Sequence, residues 1–307
     1  MDELKSTVLI TGANGFLGQK LIEQLVKDPN IHVVATSKRE NRNFIREGYT
    51  YIPCDFEDNK AFKNMLEKIR PDRIIHTAAI SSVEACESNP EQCQKVNIDT
   101  VSVLGNYCRE FDKHLVHLST DFVFDGTEGP YQETDKPNPC NAYGQSKLDS
   151  EQCLEAIGCR NAILRTILVY GINGDVNRSN LVLWAKGQLE QKQPIKVVAD
   201  QWRMPTFVDD LAIATIQAMK NEAKGIYHIS GEEMMTVLEA VQHVADFWNL
   251  DRSLISPITA KEIGQDKNRP QTTGFVLGKA KKELGFSPTP FKESLQKIEE
   301  QFGFYNR

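Results

Sequence analysis

Thr7-Val-Leu-Ile-Thr-Gly-Ala-Asn-Gly-Phe-Leu-Gly18 is the stretch that decides the fold. Thr7–Ile10 is a short apolar run of the kind a fully buried strand needs, and it feeds directly into glycines at 12, 15 and 18. Apolar residues then recur at 16, 17, 21, 22, 25 and 26, which is helical spacing. Asp28-Pro-Asn30 breaks that pattern, and Ile31–Thr36 reads as a second strand. Strand, glycine loop, helix and strand within about 30 residues form the unit in which such a loop holds a dinucleotide. Gly12 permits the tight turn, Gly15 lets backbone approach a pyrophosphate, and Gly18 lets the helix pack on the strand. Asn14, Phe16 and Leu17 complete the loop, and the helix N-terminus turns its N–H groups toward the phosphates.

Outward from this unit the alternation continues. Residues 49–53, 73–77, 114–119 and 162–168 read as strands, with helices over 60–70, 91–111 and 142–157 between them. Strands alternating with helices predict an α/β fold built on a doubly wound parallel sheet of Rossmann type, covered on both faces. After Gly171 the texture changes: 171–178 is polar and turn-rich, and helices follow near 181–189, 208–219, 236–248, 278–284 and 291–302. Residues 1–170 are therefore expected to form the dinucleotide-binding domain, with 205–230 returning to it. Residues 171–204 and 231–307 are expected to form a smaller mixed substrate lobe.

Composition bounds the function. The chain has 307 residues, 40% of them apolar and 25% charged, with net charge −6. That is ordinary globular composition. An acidic balance without a basic run argues against a nucleic-acid or membrane-surface partner. No apolar stretch approaches the roughly 20 residues of a membrane helix, and no targeting segment is read at the start, so a cytoplasmic setting is expected. Seven cysteines with no Cys-x-x-Cys spacing are expected to be reduced, and no metal site is expected.

The end of the second strand selects the cofactor. Dinucleotide sites that take NAD place an acid there to hold the ribose hydroxyls. Here the residues are Ser37, Lys38 and Arg39, which favour the 2′-phosphate of NADP, or else form a solvated basic turn. Asp55, with Phe56 beside it, either accepts from the adenine amino group or caps the next helix. Thr77-Ala78-Ala79 are small enough to let a ribose pass close to the backbone.

Tyr143 and Lys147 are four apart, hence on one face of a helix. An ammonium near the phenol is expected to lower its pKa toward the working pH, and the same lysine can bind the nicotinamide ribose. Alone, the pair reads equally as surface neighbours. Thr120, at the end of the preceding strand, adds a hydroxyl to hold a carbonyl oxygen, or caps the strand. His76, His114 and His117 lie on strands and are given no catalytic part.

These residues resemble the extended short-chain dehydrogenase/reductases, and within them the dTDP-4-dehydrorhamnose reductase family. The likeness runs over nearly the whole chain. It rests on 10–18, His76–Ala79, Val83–Glu87, Ser119–Gly126, Tyr131–Asp135, Pro139–Leu148, Leu164–Thr166, Val169–Gly171, Asp200–Gln201, Asp210–Ala212 and Arg269–Pro270. The resemblance implies NADPH-dependent reduction of the C4 ketone of a nucleotide-linked 4-keto-6-deoxy sugar. It implies Tyr143 as proton donor with Lys147 and Thr120, Asn97 supporting the lysine, and Asp121 beside Thr120. It implies Val83 and Glu84 near the sugar, with Arg269 and segment 200–206 closing the site. Arg203 is similar in place to an arginine that nucleotide-sugar epimerases direct at a diphosphate. Leu168 departs from the pattern, since those reductases often carry Trp there. A homodimer is implied for some members. Two rivals stay open: an epimerase or dehydratase on the same scaffold, and a non-catalytic subunit that binds methionine adenosyltransferase.

Overall fold

The computed structural model describes residues 5–174 and 180–305, so the segment 175–178 of the turn-rich stretch lies outside the described residues. Six strands, all but β2 and β3 separated by helices, make up the first half: β1 Ser6–Thr11, β2 Ile31–Ser37, β3 Tyr49–Pro53, β4 Arg73–His76, β5 His114–Thr120 and β6 Arg160–Thr166. Short strands follow at β7 Val169–Tyr170, β8 Ile195–Val198, β9 Trp202–Arg203 and β10 Thr206–Phe207. The last are β11 Gly225–Ile229, β12 Met235–Thr236 and β13 Ile255–Ile258. A seven-stranded sheet runs in the order β11-β6-β5-β4-β1-β2-β3, every neighbour parallel. The order reverses between β1 and β4, which opens a crevice at their C-terminal ends. The chain is therefore the doubly wound α/β fold that the strand–helix alternation predicts.

Both faces of the sheet are covered, which is why its central strands read as continuous apolar runs. Helices α1 Phe16–Leu25 and α8 Val208–Lys220 bury Leu21, Ile22, Leu211 and Ala214 on one face. On the other lie α2 Asn59–Ile69, α5 Thr100–Glu110 and α6 Ala142–Ile157, with Phe62, Leu104 and Leu154 in the core. A separate core joins α7 Leu181–Glu190, α9 Val237–Phe247 and α11 Phe291–Tyr305 through Val182, Val241 and Leu295. Residues Phe275–Phe286, including α10 Gly278–Leu284, pack into the first core rather than this one.

Two local features differ from the sequence reading. The helix expected over 91–111 is broken into α4 Pro90–Gln94, a π turn at Lys95–Asp99 and α5. The wider turn carries Asn97 fully into the interior. The expectation that all cysteines are reduced is also corrected, because Cys86 and Cys93 form a disulfide. The chain reverses at Asn89-Pro90 between α3 Val83–Ser88 and α4, bringing the two Cα atoms to 5.2 Å.

Candidate active site

The crevice is a cleft of about 760 Å³ with the glycine loop on one wall and Tyr143 and Lys147 on another. Gly12, Asn14, Gly15, Phe16 and Leu17 all line it. Gly12 sits at φ +72°, and a Cβ there would come within 2.6 Å of the Ala78 nitrogen. The turn thus needs glycine for both conformation and space. Gly18 does not reach the cleft; it lies buried in α1, where a side chain would strike the Gly12 carbonyl. Thr77, Ala78 and Ala79 form the floor between the loop and Tyr143, and the Thr77 hydroxyl donates to the Thr11 carbonyl at 2.8 Å. A floor of small side chains and a glycine turn leading into a helix N-terminus fit a dinucleotide.

At the far end, Ser37 Oγ accepts from the Asn14 N–H at 3.0 Å and so anchors the loop. Lys38 does not stand free: its ammonium lies 2.9 Å from Asp55 and 2.7 Å from Glu57. Hydrogen bonds to these two carboxylates raise its pKa. Arg39 is exposed on the cleft wall, with Arg42 beyond it. Asp55 and Phe56 line the same end, and the cap of α2 is Asp58, which accepts from the Lys60 and Ala61 N–H groups.

Tyr143 and Lys147 hang on the start of α6. Asn141 caps the helix by accepting from the Gly144 N–H at 2.7 Å. Gly144 has no room for a Cβ against the Phe122 carbonyl, so only glycine lets this first turn press on the end of β5. That contact brings Tyr143 to Thr120. Burial pushes the Tyr143 phenol up to about 12; the Thr120 hydroxyl pulls it down and Asp121 pushes it up. The expectation that Lys147 brings the phenol down is therefore corrected. The lysine ammonium turns instead to Nε2 of His117, 3.1 Å away. Burial holds the Lys147 pKa down to about 8, with Glu151 opposing.

The remaining expected residues divide. Thr120 and Asp121 lie buried just behind the phenol. The Thr120 hydroxyl donates to one Asp121 oxygen at 3.2 Å and Thr273 to the other at 2.5 Å. Burial raises the Asp121 pKa, and the Arg203 charge opposes it. Arg203 does not face the cleft: it donates to the Trp202, Pro270 and Gln271 carbonyls at 2.7 to 3.1 Å. The pairing of β9 with β12 turns Trp202 outward and Arg203 inward. Val83 is also turned into the interior. Arg269 pairs with Glu84 at 2.5 Å and lies over the Phe122 ring. Asn97 makes no bond to Lys147; it holds the Ile80 N–H and carbonyl and donates to Ser146 at 2.9 Å. Sequence reasoning missed His117 and Thr273. The only signal for His117 was its alternation with Ser119 on β5, facing polar positions of α6.

The model of the RmlD substrate binding domain matches residues 6–303. The chain belongs to that family. Among RmlD-type relatives, the probable low-salt glycan biosynthesis reductase of Haloferax volcanii is 28% identical over 97% of this chain and 98% of its own. The methionine adenosyltransferase 2 subunit beta of Xenopus tropicalis is 32% identical over 94% and 85%. A crystal structure of dTDP-4-dehydrorhamnose reductase from Bacillus anthracis, in complex with NADP, superposes with TM-score 0.81 at 27% identity, covering 97% and 99% of the two chains. The UDP-glucose 4-epimerase of Thermotoga maritima reaches 0.85 at 22% identity over 98% and 100%, a likeness of fold alone.

Proposed function

We propose that this protein is an NADPH-dependent reductase of the C4 ketone of a nucleotide-linked 4-keto-6-deoxy sugar. The observation that carries the reading is the shared cleft, in which the glycine loop and the Tyr143/Lys147 face meet over a floor of Thr77–Ala79. Similarity to a dTDP-4-dehydrorhamnose reductase in complex with NADP and to a glycan biosynthesis reductase supports the substrate class.

Bound in this cleft, NADPH supplies the hydride. Gly12–Leu17 hold its phosphates and Arg39 the 2′-phosphate, while Thr77–Ala79 and Lys147 take the nicotinamide ribose. Thr120 orients the substrate oxygen. Tyr143 gives its proton to that oxygen, and a phenol kept protonated by burial is already in the form the reduction needs. Lys147, one helical turn on and held by His117, stands on the same face of α6 to bind the ribose rather than to ionise the phenol. The nucleotide end rests against the C-terminal lobe, with Arg269 at the mouth.

A second reading has one observation in its favour: 32% identity to a methionine adenosyltransferase subunit over 94% of the chain. On that reading the site binds NADP and turns nothing over. The deciding measurement is NADPH consumption with a panel of nucleotide-linked 4-keto-6-deoxy sugars, wild type beside Tyr143→Phe. Turnover that falls by about 10²-fold or more in the variant, with NADPH still bound, is the expected result. No turnover on any sugar, together with altered kinetics of an added methionine adenosyltransferase, overturns it.

A further inference from the structure

We propose that His117 is the positioning residue of Lys147: from the strand beneath the helix, its Nε2 accepts a hydrogen bond from the ammonium and fixes where that cation points. The geometry stands on its own; the catalytic consequence rests on the reductase reading of Tyr143 and Lys147.

Both side chains are buried, His117 completely and Lys147 to all but 2%. Nζ lies 3.1 Å from His117 Nε2, and no other side chain bonds to that ammonium among the described residues. Asn97, which the resemblance implies in this part, is already spent on Ile80 and Ser146. The same Nε2 has a second neighbour, Ser150 Oγ, at 3.0 Å. That hydroxyl gives its own proton to the Lys147 carbonyl at 2.7 Å, so it offers His117 only a lone pair. Nε2 can therefore donate to Ser150 or accept from Lys147, but not both. An ammonium is the stronger partner, because a charged donor makes the stronger bond. His117 is thus neutral, with its proton on Nδ1.

The surroundings keep it neutral. His76 of β4 stacks on the His117 ring, the centroids 5.4 Å apart, and its own Nδ1 meets Thr11 Oγ1 of β1 at 2.6 Å. On α6, Lys147 faces the ring and Glu151 stands next along, paired with Arg165 of β6 and accepting from Ser119 of β5. Burial first, then the charge of Lys147, then His76 hold the His117 pKa well below 6.5. The imidazole is an anchor for the lysine, not a carrier of its proton.

The deciding readouts need no substrate. Lysine ¹³Cε resonances are titrated in the full-length protein as wild type, His117→Gln and His117→Leu, with Lys147→Met to assign the signal. Wild-type Lys147 is expected to titrate near pH 8. His117→Leu removes the acceptor and moves that titration to lower pH by about one unit or more. His117→Gln, whose Oε1 can take the same proton, stays within about half a unit of wild type. Imidazole ¹⁵N shifts in the wild type are expected to show the Nδ1–H tautomer at pH 7, a readout that survives if the leucine variant does not fold. The alkaline limb of kcat/KM should move with the lysine. An unmoved lysine titration in His117→Leu, or the Nε2–H tautomer in the wild type, overturns the proposal. The expected spectra without turnover on any sugar leave the positioning standing and remove the reductase reading.

Discussion

Lys38 and Asp55 meet at 2.9 Å where β2 and β3 end, with Glu57 on the other side of the same ammonium at 2.7 Å. The lysine's charge is balanced within the protein before any ligand arrives. Arg39, exposed beside it on the cleft wall, carries no carboxylate partner among the described residues. Arg39→Ala should weaken NADPH binding about tenfold or more while changing NADH binding less than about twofold, and Lys38→Ala should cost NADPH less than about threefold. Fluorescence titration of both cofactors checks this. Equal losses for NADPH and NADH in Arg39→Ala would show that the arginine does not read the phosphate.

Lys147 should limit stability. Its pKa is about 8 in the fold against 10.5 in an open chain. Between those values the unfolded chain keeps a proton that the folded one has released, so stability rises with pH through that window and is lowest below it. Lys147→Met should therefore be more stable than wild type by about 1–3 kcal/mol at pH 7, with the difference shrinking toward pH 10. Urea unfolding at the two pH values measures it. A variant no more stable than wild type at pH 7 contradicts the account.

The Arg165–Glu151 pair is almost fully buried, joined at 2.5 and 3.0 Å and crowned by the Ser119 hydroxyl. Arg165→Met strands a buried carboxylate and should cost about 3–5 kcal/mol. Adding Glu151→Gln should restore most of that loss. Thermal melts of the two single variants and the double variant close the cycle, and strictly additive losses would mean that the pair does not act as a unit.

Arg269 and Glu84 join the C-terminal segment to α3 at 2.5 Å. The pair is partly exposed, so Glu84→Gln should change stability by less than about 1 kcal/mol. It should release Arg269 to an anionic substrate and lower KM by up to about fivefold, whereas Arg269→Ala should raise KM by about tenfold. Steady-state kinetics with the sugar nucleotide separate these outcomes. A KM unmoved in both variants removes Arg269 from the site.

The glycine loop was readable because its chemistry is local. Gly12 must take a positive φ, and a strand before it with a helix after it left one fold for such a turn. The helical spacing of Tyr143 and Lys147 was local in the same sense. The sheet order was not local, but continuous apolar strands alternating with helices leave few alternatives to a parallel doubly wound sheet.

What the side chains do across elements was decided by the tertiary structure alone. No spacing rule says that Lys38 is neutralised by Asp55 and Glu57, that Arg203 faces backbone carbonyls, or that Asn97, on a π turn, bonds Ile80 and Ser146. Lys147 and His117 are 30 positions apart and meet at 3.1 Å because β5 and α6 pack there. Residue types and periodicity set which elements form and which loop has the glycines a dinucleotide needs. Charge pairing and desolvation depend on distances between elements distant in the chain, so only the packed molecule determines which groups are free to act.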